Sequence, residues 1–130
     1  MAIPAGKSPT VLAEHLSLPL RDSVRVINKI SQNLQSELLL RTAMRENTGD
    51  SGPHELKEFA ADFYSGAGID EDDVVQTDGS GLSRQDMVTP RSVVGLLQYA
   101  ETRRWFDVYY SSLPISGVDG DRAEVLVQEK

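Results

Sequence analysis

Ser31-Gln32-Asn33 sets a hydroxyl and a carboxamide close together inside an apolar, helix-forming stretch that runs from Asn28 to Arg41. The pattern there would accept a Leu or an Ala, and small polar groups in such places cost stability unless they find partners. The triplet therefore marks a helix break or a site. Other chemistry-bearing combinations are weaker. His15 and His54 are the histidines from which a Ser-His-Asp arrangement could be built. Neither lies in a nucleophile motif such as G-x-S-x-G, and both read as surface residues. The run Asp70-Glu71-Asp72-Asp73 invites a calcium reading. An EF-hand loop counted from Asp70 would need Gly at its sixth position and Glu at its twelfth. Those positions hold Val75 and Gly81, so the run reads as a solvated acidic turn. Trp105, Tyr109 and Tyr110 could stack on a ligand, but on a helix stopped by Pro114 they read as core and rim.

The elements that must carry these residues are mostly helices. Residues 1–10 read as a linker or disordered start, and Val11 to Leu18 as a short strand ended by Pro19. Asp22 or Ser23 can cap the next helix. Val24, Ile27, Ile30, Leu34, Leu38 and Arg41 then step by three or four and draw one helix over about 23–46. Ser31 and Asn33 predict a bend in it, because short polar side chains compete for backbone hydrogen bonds. After a polar turn at 46–52, Pro53 fits the first position of a helix whose apolar stripe is Leu56, Phe59, Ala60, Phe63 and Ala67. Gly66 and Gly68 end it. Val74 and Val75 begin an extended piece, and Asp78 to Arg84 make a tight corner. Thr89 and Pro90 open a helix with Val93, Val94, Leu96, Leu97 and Ala100 on its buried face. A last helix carries Trp105 to Leu113, and Val125 to Val127 could form one weak strand in a divergent tail, 121–130.

Composition narrows the function classes. The 130 residues suit one domain or a piece of one, with 39% hydrophobic residues, a formal charge of −7 and no cysteine. Nucleic-acid partners are disfavoured, because that affinity comes from neutralising phosphates with clustered Lys and Arg. Thiolate chemistry and disulfides are out. No apolar run approaches membrane-spanning length, and the first ten residues have no signal-peptide core.

Three blocks in order then resemble one family. Ser31-Gln-Asn-Leu with Glu37 and Leu38-Leu-Leu-Arg41 is similar to the Ser-x-Asn segment of penicillin-binding proteins of the D-alanyl-D-alanine carboxypeptidase/endopeptidase branch (low-molecular-mass class C type). Asp78-Gly79-Ser80-Gly81-Leu82-Ser83-Arg84, followed by Val88-Thr89-Pro90, resembles the corner and helix of that branch. Leu113-Pro-Ile-Ser-Gly-Val-Asp-Gly120 resembles the stretch before its K-T-G strand. The resemblance implies an α+β class: a mainly helical fragment of a β-lactamase/transpeptidase-like domain with two or three short strands, spanning 11–120.

It also implies a chemistry. A Ser of an S-x-x-K element attacks the carbonyl of a D-Ala-D-Ala peptide, and the acyl-enzyme is resolved by water or an amine. Ser31 would relay the proton and Asn33 would hydrogen-bond the substrate amide. Asp78, Gly79, Ser80, Gly81 and Arg84 would be scaffold, with Asp78 and Arg84 tying the loop. Lys29 and Arg41 match no catalytic position. No metal or organic cofactor is implied. The partner of the whole protein would be a peptidoglycan peptide or a β-lactam, in the periplasm or cell envelope.

No Ser in this sequence is followed by Lys three positions on, and no Lys by Thr-Gly or Ser-Gly. The S-x-x-K nucleophile is expected upstream of Met1 and the K-T-G strand beyond about residue 130. The chain alone is therefore expected to be inactive, and to self-associate through exposed helical surface. The competing reading is a small acidic helical interaction module without catalysis. Position separates the two. An enzyme would set Ser31 and Asn33 on a shared open groove at a helix break, and a module would keep one continuous helix.

Overall fold

One residue divides what the periodicity draws as a single helix. In the computed structural model, which describes residues 11–120, α1 (Leu20–Ile30) stops at Ser31 and α2 (Asn33–Thr48) starts two residues later. The expected bend is thus a complete break. Helix α1 also starts earlier than its capping residues suggested. Pro19 sits at the cap position, and its carbonyl accepts from the N–H groups of Asp22 and Ser23, so neither Asp22 nor Ser23 caps the helix with its side chain. The segment Val11 to Leu18 is not a strand. It has no regular structure and no strand partner among the described residues, and Leu12 is 94% exposed.

Helix α3 (Pro53–Gly66) opens on Pro53 as expected, since a missing N–H is harmless in the first turn. A short 3₁₀ turn (Glu71–Asp73) leads into β1 (Val74–Val75). β1 pairs antiparallel with β2 (Met87–Val88), with Val74 opposite Val88 and Val75 opposite Met87. Helix α4 (Pro90–Glu101) begins where the sequence placed it: the Thr89 hydroxyl accepts from the Ser92 N–H at 3.1 Å, and Pro90 occupies the first turn. Helix α5 (Phe106–Ser112) ends at Leu113, before Pro114. The class is therefore α+β and mainly helical, with two short strands among the described residues. The suggested linker at 1–10, the tail at 121–130 and the weak strand at Val125–Val127 lie outside the described residues.

The core is small. Met44 of α2, Leu56 and Ala60 of α3, Ile69 after it and Ala100 of α4 are buried. Phe63 and Tyr99 meet edge to face at 5.8 Å and join α3 to α4. Several stripe residues face outward instead. Ile30, Leu34 and Leu38 are 56%, 70% and 56% exposed, and Val93, Val94 and Leu97 of α4 also reach solvent. The helical period finds an apolar face, but a face is buried only where another element lies against it. Among the described residues no helix is long and apolar enough to cross a membrane.

Candidate functional site: the Ser31–Asn33 break

Ser31 ends α1 in the left-handed conformation, φ 56° and ψ 54°, and is the one non-glycine residue with positive φ among those described. Left-handed backbone is a common way to finish a helix, but Gly usually supplies it. A Ser there carries strain that the surrounding structure must hold. The Ser31 N–H donates to the Ile27 carbonyl, and the Gln32 N–H donates to the same oxygen at 3.2 Å. Gln32 is extended, its carbonyl accepts from the Ser36 N–H at 3.0 Å, and Asn33 is the first residue of α2. The Ser31 hydroxyl and the Asn33 amide are therefore both displayed at one turn. Both are exposed, and neither has a hydrogen-bond partner among the described residues. Exposure leaves both open to solvent, which removes the desolvation cost their positions suggested.

Both flanks of the turn are anchored. On the α1 side, Lys29 reaches the segment after α5. Its ammonium lies 2.7 Å and 2.9 Å from the two carboxylate oxygens of Asp119 and 2.5 Å from the Leu113 carbonyl. Asn28 beside it donates to the Ser112 hydroxyl at 2.7 Å, and Ser112 is buried. On the α2 side, Ser36 and Glu37 take hold of the corner. The Ser36 hydroxyl donates to the Gly79 carbonyl, and Glu37 accepts from the Gly79 N–H. Glu37 also pairs with Arg41 at 2.7 Å, and Arg41 donates to the Ser51 carbonyl. Gly79 lies so close to α2 that a Cβ there would stand 2.9 Å from Leu40 Cβ and 3.0 Å from Glu37 Cα. Only a residue without a side chain fits.

The corner is built around Asp78. Its carboxylate accepts from the Ser80 hydroxyl at 2.9 Å, the Gly81 N–H at 2.7 Å and the Ser83 N–H at 3.2 Å. Burial alone would push the Asp78 carboxyl up. The hydrogen bonds from the Ser80 hydroxyl and the Gly81 and Ser83 N–H groups hold it below the usual carboxylate range. Arg84 does not tie this loop. It is exposed and makes no ion pair among the described residues, because the turn points it outward. Asp86 ties the corner instead, accepting from the Thr77 N–H at 2.7 Å. Burial, and then the negative charge of Asp86, raise the Tyr64 phenol above its usual value. The Tyr64 hydroxyl donates to Gln76 at 3.0 Å, which joins α3 to the corner.

The sequence-derived site residues thus fall in two places. Ser31 and Asn33 share the turn, and Asp78 to Gly81 sit one layer behind it, joined through Ser36 and Glu37. The described clefts, about 550, 430 and 730 Å³, run beside α4, the corner and α3, and Ser31 and Asn33 line none of them. His15 and His54 are exposed and far from any nucleophile motif. No cluster of metal-ligating side chains occurs among the described residues. Sequence reasoning assigns no role to Lys29, Glu37, Asp86 or Asp119, although Glu37 and Asp119 stand inside the first and third family-like blocks, which is the available signal.

The profile of the D-Ala-D-Ala carboxypeptidase 3 (S13) family matches residues 2–127. The chain belongs to this family. A D-alanyl-D-alanine carboxypeptidase of Actinomadura sp. (strain R39) is 36% identical over 111 residues, which is 82% of this chain and 20% of the relative. The D-alanyl-D-alanine carboxypeptidase DacB of Haemophilus influenzae is 31% identical over 85% of this chain and 23% of its own length. This S13 chain therefore spans about a fifth of the curated relatives it matches. In three dimensions it is similar to penicillin-binding protein 4 (DacB) of Haemophilus influenzae, solved in complex with a β-lactam. That match has a TM-score of 0.79 and 27% identity, and covers 91% of this chain and 28% of the other. A second structure of that protein gives a TM-score of 0.77. The break at Ser31 departs from the continuous helix of the interaction-module reading, while the shared open groove expected of the enzyme reading is not seen, since Ser31 and Asn33 are exposed and line none of the described clefts.

Proposed function

We propose that this chain is the central, mainly helical part of a serine-type D-Ala-D-Ala carboxypeptidase that acts on peptidoglycan peptides and is acylated by β-lactams in the whole protein. The supporting observation is the left-handed break that displays Ser31 and Asn33 together, in a chain that matches the S13 family over nearly its full length. In this reading Ser31 relays the proton that leaves the attacking Ser, and Asn33 donates its amide N–H to the substrate backbone and accepts from it in turn. The attacking Ser and its Lys belong to an S-x-x-K element that this sequence does not contain, so the isolated chain has no acyl step. The whole protein works in the periplasm or cell envelope, where its substrate is found. Ile30, Leu34 and Leu38 on the outer face of α1 and α2 support a further part of the reading, that copies of the isolated chain associate through this face.

Labelling with a fluorescent penicillin tests the proposal. The whole protein should label covalently and the 130-residue chain should not. Ser31→Ala and Asn33→Ala in the whole protein should each slow labelling by about 100-fold. Rapid labelling of the 130-residue chain, or an unchanged rate in both variants, overturns it. Sedimentation of the isolated chain as a clean monomer at high concentration removes the association.

A further inference from the structure

Lys29 is the cation that the chemistry leaves unassigned. It lies in the last turn of α1, two residues before Ser31, and its side chain is 14% exposed. All three of its ammonium protons have acceptors: both oxygens of Asp119 and the Leu113 carbonyl. Leu113 is the residue that closes α5, so the ammonium also meets the negative end of that helix. The acceptor is prepared in advance. Asp119 accepts from the Ile115 N–H at 2.7 Å, and its own N–H donates to the Ile115 carbonyl at 3.0 Å, so the 115–119 turn holds the carboxylate in place without Lys29. Gly120 completes the enclosure. It has φ +97°, and a Cβ there would stand 2.7 Å from Pro114 Cβ and 3.4 Å from the Lys29 carbonyl. The backbone at 113–120 therefore wraps the end of α1, and Asn28 adds a second tie to Ser112.

A surface ion pair between two mobile side chains contributes little. This pair differs, because one partner is mostly covered and the other is fixed by its own turn. What it fixes is the place where α1 ends, and the left-handed Ser31 follows directly from that end. We propose that Lys29 and Asp119 are positioning residues for the Ser31–Asn33 site: their ion pair sets the position of the turn that carries the Ser31 hydroxyl and the Asn33 amide. The inference rests on the site reading above, since it gives that turn a catalytic use. A misplacement of about 1 Å in such a site can cost about 100-fold in rate, far more than the same shift costs in stability.

Two measurements separate this inference from the site reading. The first is amide hydrogen exchange in the whole protein, which needs no activity. Lys29→Met should speed exchange at the Ser31 and Gln32 amides by about tenfold or more, with α3 and α4 unchanged. Unchanged protection at those amides overturns the inference. So does an even loss of protection everywhere in both Lys29→Met and the milder Asp119→Asn, because that would mark a general structural role. The second is the acylation rate with a fluorescent penicillin. Lys29→Met and Asp119→Asn should each slow acylation by about tenfold or more without weakening initial binding, and the double variant should be no worse than the poorer single one. Lys29→Arg, which keeps donors for both Asp119 and the Leu113 carbonyl, should return the rate to within about threefold of the parent. If exchange responds while Ser31→Ala and Asn33→Ala leave acylation untouched, the site reading falls and the anchoring of the turn stands. If exchange responds and those two variants slow acylation while Lys29→Met does not, the positioning role is overturned.

Discussion

On the α1 side of the Ser31 break a charged pair does the holding, while on the α2 side the backbone of Gly79 lies against a helix with no room for a side chain. Lys29 and Asp119 meet through long-range hydrogen bonds between groups 90 residues apart. Gly79 meets Ser36, Glu37 and Leu40 across 43, 42 and 39 residues, through its carbonyl to Ser36, its N–H to Glu37 and a close steric fit. The ionic anchor depends on Lys29 reaching a carboxylate that the 115–119 turn already holds. The steric anchor depends on fit, because packed atoms resist small displacements. Together they give the turn one side held by charge and one fixed side held by packing.

The largest expected effect is on the fixed side. Gly79→Ala puts a Cβ within 3.0 Å of Glu37 Cα, so α2 or the corner must move. The expected loss is about 1–3 kcal/mol of stability, read from urea unfolding of the whole protein. A variant as stable as the parent would mean that this contact is soft and that the two sides do not differ as described. Ser36→Ala removes the hydroxyl from the Gly79 carbonyl and should cost about 1 kcal/mol in the same measurement. It tests whether the fixed side depends on hydrogen bonding or on fit alone.

Ser31→Gly works at the turn itself. Glycine accepts φ 56° without the Cβ penalty, so this variant should gain about 0.5–1 kcal/mol while losing β-lactam labelling with the hydroxyl. Opposite signs for stability and labelling would show that the strain at Ser31 is kept for its side chain, whereas a loss of both would point to a packing role. The smallest effect is the response to acid. The hydrogen bond from Lys29, and then that from the Ile115 N–H, hold the Asp119 carboxyl below its ordinary value of 3.8. A carboxyl lowered in the folded state adds stability that is present in full above its unfolded pKa and is lost as the pH falls through the folded one. Protection of the Ser31 amide, its exchange rate relative to the unfolded chain at the same pH, should therefore stay constant from neutral pH down to about 5 and be lost only below about 4. The Asp78 turn, whose carboxyl is also lowered, should loosen in the same window.

The local elements were legible in the sequence wherever a residue's own chemistry decides its backbone. Thr89 and Pro90 start α4, Pro53 starts α3, and Ser31 interrupts a run that would otherwise continue. What could not be read were partners far along the chain. Nothing near Lys29 announces Asp119, and nothing near Glu37 announces Gly79, because the pattern of a segment fixes its period and not its neighbour. The same limit explains Ile30, Leu34 and Leu38, which have a helical period but no covering element among the described residues. In the corner Asp78 ties the loop together with Asp86, and Arg84 does not. Asp86 faces inward and Arg84 outward, and turn geometry rather than charge decides which. The first two family-like blocks touch through Ser36, Glu37 and Gly79, and the third touches the end of α1, contacts that only the structure shows.

The two anchors are also nested: the Glu37–Gly79 contact lies wholly inside the loop that Lys29 and Asp119 close. Closing 90 residues at once costs on the order of 4 kcal/mol of chain entropy. Closing the inner 42 first shortens the path that remains, so the corner should seat on α2 before the ion pair forms. In φ-value analysis Gly79 should then score above Lys29. The turn that carries Ser31 and Asn33 would be the last part of this region to set, and it would reach its working shape only in molecules whose inner loop had already folded correctly.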